Sequence, residues 1–461
     1  MLNKNILTKK LSLLPVVFAL AWPTMLEQLM QTAVQYIDTA MVGSLGTSAT
    51  AAVGATVTVN WLINSTISAL GVGFLAFISQ AIGAGEEEKA SAASSQAVLA
   101  VLVCGTFFTA LTLSLSRFVP VWMQVDEAVT DTAAQYFFIL YTPMLFRTAT
   151  IIFGTLLRAA GDTKKPMLVG AWVNVINVVL NFALIYPTRT LTLFSHNLTV
   201  YGAGMGVTGA AVASAIAFAA GGVLITAALF RHPLLKPHIR SIRPDWSILR
   251  PCLRVALPNA LQRFGTSLGY VAFASMVNSL GEISTAAHTI ANTVESAFYI
   301  PGYGMQTAAA TLAGNAYGAN DNAKISKLGK TLILTETVLM IFSGTLLFIF
   351  AQNMMGIFSK DAQVIALGAT VLKMVALSEP FYGVSIIIEG MMQGMGKTVT
   401  PFVFNIIGMW GIRIVGTFVC VSFLGYGLVS AWACMILHNM LLFVMFAVYY
   451  LTKRHWTTIN K

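Results

Sequence analysis

The stretch QLMQTAVQYIDTAMVGSLG, residues 28–46, is an apolar segment that carries a single acidic residue, Asp38. If this segment crosses a bilayer as a helix, an ionised carboxylate near its middle costs about 2.5–3.5 kcal/mol on insertion scales. Protonation, a bound cation or a wet cavity lowers that cost, and each of these would involve Asp38 in ion or proton handling. The alternative is structural: Asp38 lies five residues before Gly43, close enough to the helix end to reach the lipid headgroups.

The whole chain has the composition of a polytopic membrane protein. Of its 461 residues, 57% are apolar and 10% are charged, whereas soluble domains average about 25% charged residues. The four cysteines are scattered through apolar runs without a C-x-x-C pair, which predicts neither a disulfide framework nor a zinc site. The one G-x-S-x-G match, around Ser267, lies inside an apolar helix, so we predict a protein that is not an enzyme.

Twelve apolar segments reach the length of about 20 residues that a membrane-spanning helix needs. These segments lie at about 12–43, 47–81, 91–117, 127–157, 166–187, 204–230, 248–278, 283–314, 326–352, 362–393, 401–424 and 427–451. The sequence therefore predicts an all-α polytopic membrane protein with twelve transmembrane helices, several of them tilted or kinked. Pro23 predicts a kink in the first helix, because proline removes a backbone hydrogen bond.

The chain contains an internal duplication. AMVGSLGTSATAA (40–52) and SMVNSLGEISTAA (275–287) share eight of 13 residues at an offset of 235. The same offset pairs prolines, glycines and aspartates elsewhere: Pro23 with Pro258, Gly83 with Gly318, Asp126 with Asp361, Gly161 with Gly396, and Pro166 with Pro401. The sequence thus predicts two six-helix bundles related by a pseudo-two-fold axis along the membrane normal.

We name the predicted units by their residue ranges: the N-lobe is 1–230, the basic linker 231–247 and the C-lobe 248–461. Nineteen of the 27 lysines and arginines fall in loops and tails on the side of the N-terminus. The loops on the other side hold three, Arg117, Arg189 and Lys360. This bias predicts a multi-pass protein of the inner (plasma) membrane with both termini and the linker in the cytoplasm. It also accounts for the net charge of +10 without a nucleic-acid partner.

A polar patch belongs to the N-lobe alone. Its fifth helix carries three asparagines spaced three and four residues apart, which places them on one helical face: Asn174, Asn177 and Asn181. Their counterparts in the C-lobe are Met409, Ile412 and Gly416, and Asp38 pairs with Phe273. Counting from the helix ends places Asn181 at the height of Asp38, and Asn177 at that of Ser214. A carboxylate with amide and hydroxyl oxygens suits a hard cation or a proton relay, or else a hydrogen-bond cluster between helices.

The helices carry further acids whose roles the sequence leaves open. Glu295 could pair with Arg263 on the neighbouring helix or form a second coupling or substrate site. Glu379 has Lys373 nearby, which predicts a structural pair, and Glu389 lies near the inner helix end, which predicts a solvated side chain. Glu27, four residues after Pro23, stays undecided.

The chain resembles the multidrug and toxic compound extrusion (MATE) family over nearly its whole length. The resemblance rests on a series of short motifs spread over both lobes. They are Pro23, Gln31-Thr32, Asp38, Met41-Val42, Leu45-Gly46, Gly71-Val-Gly73, Gln80-Ala-Ile-Gly83-Ala-Gly85, Leu157-Arg158-Ala-Ala-Gly161-Asp162, Asn177, Asn181, Tyr186 and Ala286-Ala-His288. Within the family the chain is most similar to the prokaryotic branch related to DNA-damage-inducible protein F.

The resemblance implies a V-shaped pair of six-helix bundles that works as a cation- or proton-coupled antiporter. It also implies an ion site lined by Asp38, Asn177 and Ser214, with Gln31 and Trp61 facing the substrate cavity. The family often has aspartate where this chain has Asn181, and that departure favours proton coupling through Asp38 alone. The acid that another branch carries in helix seven is missing here, because residues 264–275 contain none.

From these observations we predict a secondary active antiporter that exports amphipathic, cationic organic compounds in exchange for H⁺ or Na⁺, as a monomer in the lipid bilayer. The predicted ion-coupling residues are Asp38, Asn177, Asn181 and Ser214; Asp38 and Asn177 would hold Na⁺ if sodium is the ion. The predicted substrate-binding residues are Gln31, Trp61, Asn174 and Glu295. No cofactor other than the coupling ion is expected.

The alternative is a flippase for lipid-linked oligosaccharides of the same superfamily. A flippase must hold a pyrophosphate, so its cavity should be lined by cations. Four basic residues within or at the ends of helices keep this alternative open: Arg147, Arg263, Lys373 and Arg413.

Overall fold

The computed structural model describes residues 13–452 apart from 124, 194–195 and 239–242. Nearly all of the described chain is helical. Residues 239–242 of the predicted linker and the N-terminal lysines, Lys4, Lys9 and Lys10, lie outside the described residues.

Eight described helices precede the linker. They are α1 Leu13–Gly43, α2 Thr47–Gly83, α3 Glu87–Leu115, α4 Phe118–Trp122, α5 Glu127–Tyr141, α6 Met144–Ala159, α7 Lys164–Leu184 and α8 Gly206–Phe230. Helix α1 continues through Pro23 without a break. The predicted kink therefore does not divide this helix into two segments.

The second part of the chain repeats the pattern with more interruptions. Its elements are α9 Trp246–Asn278, α10 Glu282–Phe298, α11 Ile300–Gly318, α12 Asn322–Phe358, α13 Ala362–Ala376, α14 Glu379–Gly394, α15 Val399–Ile406, α16 Val415–Phe418 and α17 Leu428–Leu451. Two π-helical segments, Ile407–Ile414 and Val419–Phe423, flank α16 and complete one long helix with it and α15.

Two of the predicted spans are broken helices. The axes of α5 and α6 differ by 50° and those of α13 and α14 by 55°. Pro143 stands at the first break and Pro380 in the first turn after the second, and proline cannot donate the backbone hydrogen bond that would continue a helix. Eight described helices are long and apolar enough to cross a membrane, or ten if each bent pair is one span.

The purely helical prediction is wrong for one segment. After α7 the chain forms an antiparallel hairpin of β1 (Pro187–Leu193) and β2 (His196–Ala203), with Thr190 opposite Thr199. The sequence indicated an extra outer loop between Arg189 and Gly204 without predicting strands. The hairpin is a connection between helices and leaves the helical architecture unchanged.

The two lobes touch through a reciprocal contact of glycines. Gly83 at the end of α2 packs against the backbone of Asn315, and Gly318 at the end of α11 packs against the backbone of Gln80. A Cβ atom at either glycine would overlap the facing backbone. Residues 80 and 315, like 83 and 318, are separated by the repeat offset of 235. The contact therefore follows the symmetry of the duplication.

Helix α1 contributes to the cores of both lobes. Val17, Leu20 and Ala21 in its first turns are buried in a cluster with C-lobe side chains such as Met305. Val42 at its far end belongs to the main N-lobe core. The first helix thus passes from one lobe to the other along its length.

The linker is docked along the start of α3. Gln96 donates from Nε2 to the carbonyl oxygen of Arg243 at 2.9 Å and accepts from the backbone N–H of Asp245 at 3.0 Å. Ser91 Oγ donates to the carbonyl oxygen of Lys236 at 2.7 Å. The linker therefore lies on the same side of the molecule as the start of α1.

Candidate functional site

Helices α1 and α7 bring an acid and two amides into direct contact. Asn181 Nδ2 donates to Asp38 Oδ1 at 2.5 Å. The side-chain amide of Asn177 lies beside the same carboxylate and contacts Ser214 Oγ of α8 at 3.0 Å. The matching heights counted from the sequence therefore agree with the observed geometry, and Asp38 points at the asparagine-bearing helix.

Burial distinguishes the members of this cluster. Asn181 and Asn177 are 1% and 5% exposed and Ser214 is 9% exposed, whereas Asp38 is half-buried. The carboxylate thus lies at the edge of a buried polar patch. One side of Asp38 meets amide groups, and part of it stays accessible.

The amide of Asn177 is a second hydrogen-bond partner of the carboxylate. Its nitrogen donates to Asp38 Oδ1 at 2.8 Å and to Oδ2 at 3.2 Å, and its oxygen accepts from Ser214 Oγ at 3.0 Å. The opposite orientation of this amide would set its oxygen against the carboxylate, so that two acceptors faced each other. Asp38 therefore accepts hydrogen bonds from both asparagines.

The remaining predicted site residues lie outside this cluster. Gln31 on α1 is exposed, and Trp61 on α2 is 55% exposed. Asn174 is one turn below Asn177, and its Nδ2 is buried without a hydrogen-bond partner among the described residues. Glu295 is buried in the C-lobe. The structure does not bring these four side chains together with the Asp38 cluster.

Glu295 does not pair with the arginine that the sequence suggested. Its Oε1 accepts a hydrogen bond from Tyr299 Oη at 2.8 Å, while Arg263 Nε donates to Asn259 at 3.0 Å. A neutral tyrosine on the following turn therefore replaces the suggested ion pair.

The predicted pair of Glu379 and Lys373 is wrong. Glu379 is fully buried, and within the described chain neither of its carboxylate oxygens has a hydrogen-bond partner. Lys373 instead lies over the ring of Phe348, 6.0 Å from its centroid. Lys373 stands before the 55° bend between α13 and α14, and Glu379 stands after it.

Glu389 is not a solvated side chain. Its Oε1 accepts from Gln262 at 2.8 Å and from Gln393 at 3.0 Å. Its Oε2 accepts from Asn405 at 3.1 Å. Position near a helix end suggested water, but amides from three different helices surround this carboxylate instead.

Sequence reasoning missed two functional candidates. Glu336 on α12 is fully buried and, in the described part of the chain, has no hydrogen-bond partner at either carboxylate oxygen. The sequence feature that could have identified Glu336 is the one that identified Asp38, a single acidic residue in an apolar segment. Arg158 was known only as part of a motif, and nothing in the sequence indicated that it reaches Glu27 on α1.

No metal cluster of the usual protein ligands is present in the described ranges. Among them no group of three or more His, Cys, Asp or Glu side chains could hold a metal ion. The Asp38 cluster offers one carboxylate and otherwise amide and hydroxyl oxygens. That donor set suits a proton or a monovalent hard cation better than a transition metal.

Comparison with known proteins places this geometry in context. The family model MatE matches residues 23–183 and 258–419, two blocks that begin 235 residues apart. "Probable multidrug resistance protein NorM" of Thermotoga maritima is 26% identical over 417 residues, 90% of this chain and 88% of that protein. The protein of the same name from Bradyrhizobium diazoefficiens is 27% identical over 429 residues, again 90% and 88%.

Solved structures share the fold over the full length. A crystal structure of MATE in complex with MaL6 superposes with a TM-score of 0.89 at 22% identity, covering 98% of each chain. An outward-facing multidrug resistance MATE family transporter of the MOP superfamily gives 0.89 at 21% identity and the same coverage. These matches confirm the family resemblance and the many-helix membrane fold.

Proposed function

This chain belongs to the MatE family, and from that premise we propose that it is a secondary antiporter that exports amphipathic, cationic organic compounds in exchange for H⁺ or Na⁺. The observation that carries the proposal is the hydrogen bond between Asn181 and Asp38. Relatives are named as multidrug resistance proteins. Their names support a transporter rather than an enzyme.

We propose twelve membrane spans arranged as two six-helix bundles. The long apolar helices and bent pairs supply ten of them. The other two are α9 and the α10–α11 pair, which are long enough to span but more polar. The charge bias places both termini and the linker in the cytoplasm of a plasma-membrane protein. The proposal needs a single chain and no cofactor beyond the coupling ion.

In the proposed mechanism Asp38 is the loading switch. When Asp38 is empty, the amide of Asn177 donates to the carboxylate; a bound proton or Na⁺ neutralises the carboxylate and weakens that hydrogen bond. The buried neighbours Asn181 and Ser214 hold that amide in place. Binding of the ion thus changes the hydrogen bonds between α1, α7 and α8, which biases the equilibrium between two conformations of the transporter.

The substrate would bind in the cleft that the exposed residues border. Gln31 and Trp61 present polar and aromatic surface, and Trp61 can stack on an organic cation. The amide nitrogen of Asn174 has no hydrogen-bond partner within the described chain, and Glu295 supplies a carboxyl group in the C-lobe. We propose all four residues as substrate contacts. The other role proposed for Glu295 is that of a second coupling group.

Asp38→Asn tests the coupling role. We expect loss of gradient-driven export with unchanged expression, because asparagine keeps the shape and cannot load a proton. Transport is measured in proteoliposomes with a pH gradient and a sodium gradient imposed separately. Glu88→Gln, an exposed position on α3, is the matched control. Normal export by the Asp38 variant would remove Asp38 from the mechanism.

One observation supports the alternative function, a flippase. Arg147 and Arg413 are buried, lie over the rings of Phe218 and Phe273 at 4.5 and 4.2 Å, and form no ion pair in the described chain. A buried cation without an acid could hold a phosphate. Comparing drug accumulation with turnover of lipid-linked precursors in a deletion strain separates the two functions.

A further inference from the structure

A buried ion pair joins the first helix to the end of α6. Arg158 Nη2 donates to Glu27 Oε1 at 2.6 Å and to Oε2 at 2.8 Å. Glu27 is 6% exposed, and the Arg158 side chain is 18% exposed. Removing one partner of such a pair leaves an uncompensated buried charge, so the two residues hold each other in place.

The ion pair lies where the two lobes touch. The carbonyl oxygen of Arg158 accepts a hydrogen bond from Thr311 Oγ1 of α11 at 3.2 Å. Gly304 of the same helix packs directly against Met25, two residues before Glu27. Both partners of the ion pair therefore belong to segments in contact with the C-lobe.

Glu27 and Asp38 lie on one face of α1. They are eleven residues apart, which is about three helical turns or roughly 16 Å. Their neighbours on α7 have the same spacing: a Cβ at Gly170 would lie 3.4 Å from Glu27 Cγ, and Asn181 bonds to Asp38. Helix α1 is thus fixed to α7 at two levels.

The segment between these levels has no proline, because Pro23 precedes Glu27. A continuous helix of three turns transmits a shift or rotation at one end to the other. A change in the contacts of Asp38 can therefore shift Glu27 without involving the helix around Pro23.

We propose that the Glu27–Arg158 ion pair is a positioning element that keeps the lobes closed on the N-terminal side, and that loading of Asp38 weakens it through α1. This inference rests on the proposed function, since it assigns the step by which ion loading changes access. Both partners belong to the N-lobe, so the pair acts through the contacts beside it. It holds Met25 of α1 and the carbonyl oxygen of Arg158 in the positions at which they meet Gly304 and Thr311 of α11.

The chain contains a native reporter for this closure. Cys252 on α9 is 3% exposed and packs within the N-lobe core, with its backbone directly against Gly73 of α2. Opening of the lobes at this end would expose its thiol. Cys434 is 9% exposed in the C-lobe, contacts Cys420 in the π-helical segment Val419–Phe423, and serves as an internal control.

The experiment measures labelling of Cys252 by a membrane-impermeant maleimide in inside-out vesicles, located by peptide mass spectrometry in the full chain. We expect Glu27→Gln to raise the labelling rate of Cys252 at least about tenfold, because it leaves the Arg158 charge buried and unpaired. Labelling of Cys434 stays unchanged, which a general loss of folding would not allow. Glu88→Gln again provides the matched control.

Two further variants make the outcome decisive. The exchange E27R/R158E should return Cys252 labelling toward the wild-type rate, and Thr311→Val, which removes the cross-lobe bond without a charge change, should raise it. Unchanged labelling in Glu27→Gln and Thr311→Val would overturn the closure role. Raised labelling together with normal transport by Asp38→Asn would instead reject the proposed coupling while leaving the closure role standing.

Discussion

At the scale of single residues, acids in apolar helices meet four different surroundings. Asp38 and Glu389 accept hydrogen bonds from amides, Glu295 accepts one from a tyrosine hydroxyl, and Glu27 pairs with an arginine. Glu336 and Glu379 are fully buried and, within the described residues, lack hydrogen-bond partners. Since charged groups in a membrane interior are costly unless paired, the partner of each acid decides what its removal does.

Glutamine substitutions of Glu389 and Glu379 should affect stability differently, because the two acids have different surroundings. Glu389→Gln places an NH₂ group against amide donors, which costs about 1–3 kcal/mol because a donor loses its acceptor. Glu379→Gln loses no hydrogen bond and removes a potential buried charge, so its stability should equal or exceed that of the wild type. Thermal unfolding in detergent measures both. Equal losses in the two variants would contradict the assigned surroundings.

At the scale of elements, the close approach of α2 and α11 depends on glycine. Both Gly83 and Gly318 face backbone at a distance that excludes a Cβ. Symmetry extends to positions whose chemistry differs: Phe273 stands where Asp38 stands in the other lobe, and Arg413 lies over its ring at 4.2 Å. The duplicated helices thus pack in the same way, but they carry different polar residues.

Alanine at Gly83 or Gly318 should push the lobes apart. We expect each single variant to speed labelling of Cys252 to a similar extent, because the two contacts are related by symmetry. Gly43→Ala, where a Cβ would meet nothing within 4 Å, is the control. A marked difference between the two glycines would contradict the reciprocal contact.

The segment after α8 contains a histidine whose charge should affect stability. Burial lowers the pKa of His232 to about 4, and the nearby Lys165 lowers it as well. The unfolded chain takes up this proton near its ordinary pKa of about 6.5. Stability is therefore complete above about pH 6.5 and falls as the pH drops toward 4.

His232→Asn should reduce this pH dependence. The asparagine oxygen can accept the bond that the backbone N–H of Leu234 donates to His232 Nδ1 at 3.3 Å, and it takes up no proton. We expect the drop in melting temperature between pH 7 and pH 5 to be smaller than in the wild type. An unchanged or larger drop would show that His232 is not the responsible group.

At the scale of the whole molecule, the contacts between lobes gather at the side where α1 begins. They include the glycine contact, the bond from Gln80 Nε2 to the Gly394 oxygen at 2.9 Å, and that from Thr311 to Arg158. Farther along α1 and in the middle part of α2, Gln31 and Trp61 are exposed. The proposed substrate cleft would therefore open away from the N-terminal side.

Opposite accessibility of two thiols checks this arrangement. Gln31→Cys should react with an impermeant maleimide in intact cells, because its side chain borders the open cleft, while native Cys252 should not. Inside-out vesicles provide the complementary measurement. Labelling of the new cysteine only from the cytoplasmic side would reverse the proposed orientation.

The sequence alone determined the membrane class, the duplication and the positions of Asp38, Asn177 and Asn181 along their helix axes. These follow from apolar length, repeat offset and helical rise, which do not depend on tertiary contacts. It could not give the hairpin after α7, the amides around Glu389, the apolar surroundings of Glu379 or the ion pair of Glu27. These depend on how helices distant in sequence rotate and cross. Only the tertiary structure fixes those rotations, since packing between helices decides which face of each one meets a partner.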